Sequence, residues 1–480
     1  MQLRALALAL CLVLAGCSSA PVSEEPLDVD AGPSADGGTS EVPDPPSDRL
    51  GWENGYWYNE SIAVDQSDGL TDAELEAFVA RSMARVEHIR RKEFDSTVPV
   101  SVIPRSEYRN RTSNGGEGPS EFDRWNNQVW EALFITGETT DSQSALGEAR
   151  GSSVIGFYSI RDDEIKIVTD SPDEPVIRNA TLVHELVHAL QDQQWDISGE
   201  RFGGDTQDGD LAIDGVIEGD ASYVERRYAE RCAGAWDCVE TPNRVGGGGG
   251  GGGSGGGPNL GILLTTYQPY SDGAAYVAAL REEGGWDAVD AEYDDLPVST
   301  EQTIHSTDEE PVRLRVTDEA RNGWRTFPDQ GEDGSDTVGE ASMYVMFWYQ
   351  ARTFGAETID TRGLFRTDGR YDVYNYEAEP TAGWGNDRVF PYRKDVGDET
   401  RYGYVWVTAW DSREDAREFR EAYRRMLDAH DVEQRDDGVY VIPDGEFEDA
   451  FRVVQDGRRV VIVNGPTPAA VDDLRPGLAS

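Results

Sequence analysis

The sequence predicts an α+β fold, and three features carry that reading: long amphipathic helical patterns, two β-rich runs close enough to pair between residues 153 and 169, and a strand-helix-strand-strand-helix order in the last hundred residues. From the N-terminal side, Thr71 caps a helical pattern that runs to about Phe94, and Val98 to Ile103 reads as a strand. A second helix is expected across Glu121 to Phe134. The runs 153–161 and 164–169, joined by Asp162 and Asp163, predict a hairpin. Ser171-Pro172-Asp173-Glu174 then offers a capping box with proline at the first helical position. It predicts a helix through Val176 to Leu190 that is apolar around most of its circumference and therefore buried.

Another helix is expected from about Asp210 to Arg231, followed by the glycine run 246–257, broken only by Ser254, which has too few side chains to pack a core. Helical patterns return at Ala274 to Glu283, Trp286 to Tyr293 and Thr337 to Arg352. The C-terminal unit reads as a strand from Tyr404 to Asp411, a helix from Ser412 to His430, strands at Val439 and Val460, and a short terminal helix. The expected division is 1–17, 18–48, 49–245, 246–257, 258–395 and 396–480.

Composition narrows the setting. Asp and Glu total 92 against 43 basic residues, and the only lysines are Lys92, Lys166 and Lys394. A net charge of −49 opposes compaction in dilute solution. Molar salt, which cuts the Debye length to about 3 Å, removes most of that repulsion, so the composition predicts a halophilic protein. The same charge argues against nucleic acid or an anionic lipid face as a partner. With 12 Trp, 20 Tyr and 14 Phe, the body of the chain is too aromatic to stay unfolded.

The N-terminus predicts export. Arg4 precedes an apolar run from Ala5 to Ala15, too short to span a bilayer and of the length of a signal-peptide core. It ends in Leu14-Ala15-Gly16-Cys17, which resembles a lipobox with Cys17 as the lipidated residue. The Ser/Pro/Asp/Gly-rich stretch 18–48 reads as a tether, and the expected location is the outer face of the cytoplasmic membrane, lipid-anchored at the cell surface. Cys11 leaves with the signal peptide, so Cys232 and Cys238 remain to form a disulfide in an oxidising exterior, a two-Cys metal site being the rival reading.

The chemistry centres on His184-Glu185-Leu186-Val187-His188. Residues four apart on a helix share a face, so the two imidazoles can meet one ion with Glu185 beside the open coordination position. Two imidazoles and a carboxylate suit Zn2+. The third ligand is expected at Glu218, on the next helix, where Gly215, Gly219 and Ala221 would allow close approach to the first; Glu340 is the runner-up. Asp214 and Asp220 are candidates to orient a ligand imidazole. His305 is a candidate donor to a transition-state oxyanion, with Tyr223 and Arg388 weaker ones of the same kind.

The hairpin, the metal-binding helix and the ligand helix after it together describe a zincin-like domain of the gluzincin kind. The run His184 to Trp195, the Glu218-Gly-Asp-Ala segment, Gly284-Gly-Trp286, Ser299-Thr-Glu-Gln302 with His305, and Gly383 to Arg388 resemble an uncharacterised family of haloarchaeal surface proteins related to predicted zincin-like groups. The resemblance spans most of 49–480 and implies fold and location more than activity. The resulting expectation is a zinc metallopeptidase acting on a peptide or protein, with Glu185 as general base. The alternative is a non-catalytic envelope protein with a structural zinc site, and a glycan-binding module is a third reading.

Overall fold

The computed structural model describes residues 44–478 apart from 46, 113–117, 243–257 and 368. The expected signal peptide with Cys17, nearly all of the expected tether and the glycine run therefore lie outside the described residues. The fold is α+β. No helix among the described residues is long and apolar enough to cross a membrane.

A two-residue ladder, β1 (Trp52–Glu53) with β2 (Tyr56–Trp57), precedes α1 (Asp72–Arg90), whose Thr71 cap forms the reciprocal bond with Glu74 expected of a capping box. Next come β3 (Val100–Pro104), α2 (Arg105–Thr112), α3 (Glu121–Ala132), α4 (Ser142–Ser153), β4 (Gly156–Ser159) and β5 (Glu164–Thr169). The expected hairpin is present: β4 pairs antiparallel with β5, β3 pairs parallel with β5 on its other side, and β4 is left at the edge. Helices α5 (Asn179–Trp195) and α6 (Gln207–Cys232) follow. Val183, Leu186, Val187 and Leu190 of α5 pack with Ile165 and Ile167 of β5 and with Phe78, Met83 and Val86 of α1 in one buried cluster.

The start of α5 corrects the sequence reading. Residues 171–174 form a turn, and the helix begins at Asn179 after Arg178, which supplies no side-chain cap. Pro175 is the reason: its ring excludes the helical conformation at the residue before it and its nitrogen has no hydrogen to donate. The extended segment is held instead by Gln66, whose amide accepts from Ile177 N at 2.7 Å and donates to Ile177 O at 3.1 Å.

Helix α7 (Leu260–Glu292) breaks at Gly285, where the sequence pattern also breaks, and is followed by α8 (Thr300–His305) and α9 (Gly339–Thr353). The glycines of α6 serve α7 rather than α5. A Cβ on Gly219 would lie 2.3 Å from the carbonyl oxygen of Gly273, and one on Gly273 would lie 2.2 Å from that of Gly215, so only paired glycines allow these backbones to touch. Ala221 packs into the cluster shared with α5.

The C-terminal unit is a six-stranded antiparallel sheet, richer in strands than expected. It comprises β6 (Trp384–Val396), β7 (Glu399–Trp410), β8 (Glu433–Gln434), β9 (Val439–Ile442), β10 (Asp449–Asp456) and β11 (Arg459–Gly465), in the order β6-β7-β11-β10-β9-β8. The hairpin of β6 with β7 carries the sheet back to Trp384, ahead of the expected boundary at 396. Pro391 sits in β6, and β6 is an edge strand, where a missing N–H is tolerated. Alternate residues of β7 face opposite ways: Tyr404, Trp406 and Trp410 join the core with α10 (Arg413–Asp428) and α9, while Val405, Val407 and Ala409 pack with α11 (Pro468–Leu474). Buried Asp387 of β6 caps α9, accepting from Val338 N and Gly339 N at 3.2 and 3.0 Å and from the indoles of Trp384 and Trp406 at 3.0 Å each.

Candidate metal centre

His184 and His188 lie one turn apart on α5 with ring centroids 4.8 Å apart. Glu218 reaches them from α6: its Oε2 is 3.0 Å from His184 Nε2 and 3.2 Å from His188 Nε2. One ligand atom from each of the three residues falls within 4.8 Å of the others, and all three residues are 2% exposed. Helical spacing alone brings the imidazoles together, whereas Glu218 is placed by the packing of α6 against α5.

The far side of each imidazole is held by an acceptor. His184 Nδ1 lies 3.2 Å from Glu225 Oε2, and His188 Nδ1 lies 2.8 Å from Gln191 Oε1. Both partners accept, so Nδ1 carries a hydrogen in each ring, and each ring turns its Nε2 toward Glu218. This is the orientation that metal-bound histidines need. Gln191 is fixed in turn, donating to Ile217 O and to Tyr293 Oη at 2.8 Å each. Tyr293 donates to Asp220 at 2.8 Å, and Asp220 pairs with Arg90 of α1 at 2.9 Å.

The electrostatics follow from this pairing. Burial works to raise the Glu218 carboxyl, but His188 and His184 outweigh it and hold it down at about 2. Burial works to lower His184, and the hydrogen bonds to Glu218 and Glu225 carry it well above the ordinary value instead. Glu185, 2% exposed on the same helix, accepts the backbone N–H of Tyr158 in β4 at 2.8 Å through Oε2. Tyr270 of α7 stacks on His184 with centroids 5.8 Å apart and planes 16° apart. From there Tyr267, Tyr374 and Phe365 form a continuous series of ring contacts outward, ending at Phe365, which is 65% exposed.

The other expected residues are distributed differently. Asp220 touches neither imidazole directly; it reaches His188 through Tyr293 and Gln191. Asp214, on α6, is partly exposed, and the acceptor at His184 Nδ1 is Glu225. His305 and Glu340 pair with each other at 2.9 Å, and neither belongs to the three-residue cluster. The hydrogen bond to Glu340 raises His305 to about 8. Tyr223 packs against Trp286 and Tyr371, and Arg388 donates to Ser335 Oγ and Glu332 O. Cys232 and Cys238 are joined in a disulfide at the end of α6. A cavity of about 430 Å3 lined by Tyr344, Asp360 and Glu377 includes none of the three cluster residues in its wall.

Sequence reasoning missed Glu225, Gln191, Tyr293, Arg90 and Tyr270. Two of these carried a usable signal: Gln191 stands three residues after His188 and Glu225 seven after Glu218, positions that share a helix face with the ligands. No curated protein and no solved structure matches the chain. Residues 325–475, which hold α9 and the whole C-terminal sheet but neither α5 nor α6, match the family model described as a domain of unknown function, DUF8575.

Proposed function

We propose that the protein is a zinc-dependent metallopeptidase of zincin-like, gluzincin-type architecture, held at the outer face of the cytoplasmic membrane by a lipid on Cys17. The observation that carries the reading is the convergence of His184 Nε2, His188 Nε2 and the Glu218 carboxylate with both Nδ1 atoms held by acceptors. Nitrogen and carboxylate donors in this number fit Zn2+ in a site with an open fourth position. When bound, the ion would lower the pKa of a coordinated water and polarise a peptide carbonyl. Glu185 would take the proton of the attacking water and pass it to the leaving amine. Gln191 and Glu225 keep the imidazoles in the correct tautomer, and the Tyr270 series offers an apolar surface beside His184 for a substrate side chain. The location rests on the Leu14 to Cys17 sequence.

One observation favours the second reading, a non-catalytic surface protein with a structural zinc site. The Tyr158 N–H bond gives Glu185 a structural role at the sheet edge, so its presence alone does not require catalysis. Comparison of the unaltered protein with Glu185→Gln separates the two. Bound zinc is measured first, then hydrolysis of casein and a peptide library in molar salt. Zinc in both and hydrolysis only in the unaltered protein supports the peptidase. Equal hydrolysis in both, or none in either, overturns it.

A further inference from the structure

A second group of metal-ligating side chains lies far along the chain from α5. Carboxylate oxygens of Glu131, Glu138 and Asp449 all fall within 4.8 Å of one another. Glu131 is in the last turn of α3, Glu138 follows in the turn beyond it, and Asp449 opens β10. The two backbones are already in contact there, with Glu138 N donating to Glu446 O at 2.9 Å. Gly137 makes that possible, since a Cβ at this position would stand 2.5 Å from Glu446 O.

Three acids gathered at one point repel, and the neighbours that act on them most are each other, Glu448 and two neutral amides. Burial, then the surrounding carboxylates, push Glu131 and Asp449 well above the ordinary carboxyl range. The two amides give the independent observation. Gln128, 5% exposed, donates to Glu131 at 2.6 Å, and Asn464, fully buried, donates to Asp449 at 2.7 Å. The carbonyl oxygens of those same amides, Gln128 Oε1 and Asn464 Oδ1, are buried without a hydrogen-bond partner. A half-turn of either amide exchanges oxygen for nitrogen and brings the unpartnered oxygen to the carboxylates with no movement of the backbone.

We propose that Glu131, Glu138 and Asp449, with the amide oxygens of Gln128 and Asn464, bind a hard divalent cation of the calcium class. The donors are all oxygens and include no imidazole or thiolate, the set that favours Ca2+ over Zn2+. Glu138 is exposed and gives the ion a route from solvent, while Glu131 and Asp449 form the buried floor. The bound ion ties the end of α3 to the C-terminal sheet, satisfies the two orphaned amide oxygens and neutralises the acids. This centre is chemically distinct from the His184 cluster and does not depend on what that cluster does.

The test uses the full exported chain, stripped of metal and kept in molar NaCl so that weak surface binding is screened. TbCl3 is titrated while luminescence sensitised by nearby aromatic rings, Tyr404 and Tyr423 among them, is followed, and CaCl2 is then added in competition. The expected result is saturation at one site, displacement by Ca2+, and a melting temperature raised by Ca2+. Affinity should fall by at least about tenfold in Glu138→Gln, whose exposed position leaves folding intact, and further in Asp449→Asn. Luminescence that never saturates, or saturates alike in unaltered protein and Glu138→Gln, overturns the proposal. So does an unchanged melting temperature with Ca2+.

Discussion

The backbone N–H of Tyr158 points away from β5 and is received by the carboxylate of Glu185 at 2.8 Å, which joins the edge of the three-stranded sheet to the helix bearing both histidines. Glu185 therefore answers to two demands, and the two are separable by substitution. Glu185→Gln keeps an acceptor for Tyr158 and should leave stability and zinc content near those of the unaltered protein while lowering peptide hydrolysis by at least about a hundredfold. Glu185→Ala leaves a buried donor without a partner and should cost about 1–3 kcal/mol in denaturant titration.

Gln191 governs how His188 presents its Nε2. Gln191→Leu removes the acceptor at Nδ1 and frees the ring to adopt the wrong tautomer, so zinc affinity should fall about 10–100-fold in competition with a chromophoric chelator. Tyr293→Phe leaves Gln191 bonded to Ile217 O and should produce a smaller loss. Unchanged affinity in Gln191→Leu would show that another group fixes the ring.

The pair of His305 and Glu340 gives a pH dependence of definite sign. The hydrogen bond to Glu340 raises His305 to about 8, so its contribution is fully present below about 6.5 and is lost as pH rises through about 8. Glu340 is raised too, because burial outweighs the bond to His305, and a buried acid with a raised pKa also loses stability as pH rises. Both partners thus push the same way. Melting temperature should decline from neutral to alkaline pH, and in Glu340→Gln the imidazole titration read by NMR should move back toward about 6.5. An unchanged midpoint in the variant would place the cause elsewhere.

A net charge of −49 should make the fold dependent on salt. Dialysis from molar NaCl into dilute buffer lengthens the screening distance from about 3 Å to about 30 Å and restores the repulsion among surface acids. Far-UV circular dichroism should lose helix signal and the melting temperature should fall. Unchanged spectra in dilute buffer would show that the acidic surface is tolerated without screening.

Local chemistry was the readable part of the sequence. The Thr71 N-cap, the β4–β5 hairpin and the one-turn spacing of His184 and His188 each depend on residues a few positions apart. Glu218 was also legible, because its neighbours are small and it lies on the next helix after the motif. Glu225 was harder to single out, since among 92 acids only its position seven residues after Glu218 marks it. The glycines at 215 and 219 announced a close helix contact but not which helix, since α7 lies beyond the glycine run in sequence. Pro175 outweighed a well-formed capping pattern, and β6 and β10 escaped because charged residues and Pro391 interrupt their apolar alternation.

The sequence of contacts from His188 through Gln191, Tyr293 and Asp220 ends on Arg90 of α1. A five-residue motif is thus oriented by side chains drawn from residue 90 to residue 293, and no shorter piece of the chain contains them all. During synthesis, the histidines emerge well before Tyr293 does. A nascent or truncated chain would carry the motif yet lack the contacts that orient it, so any ion the three residues take up would enter only after folding is complete.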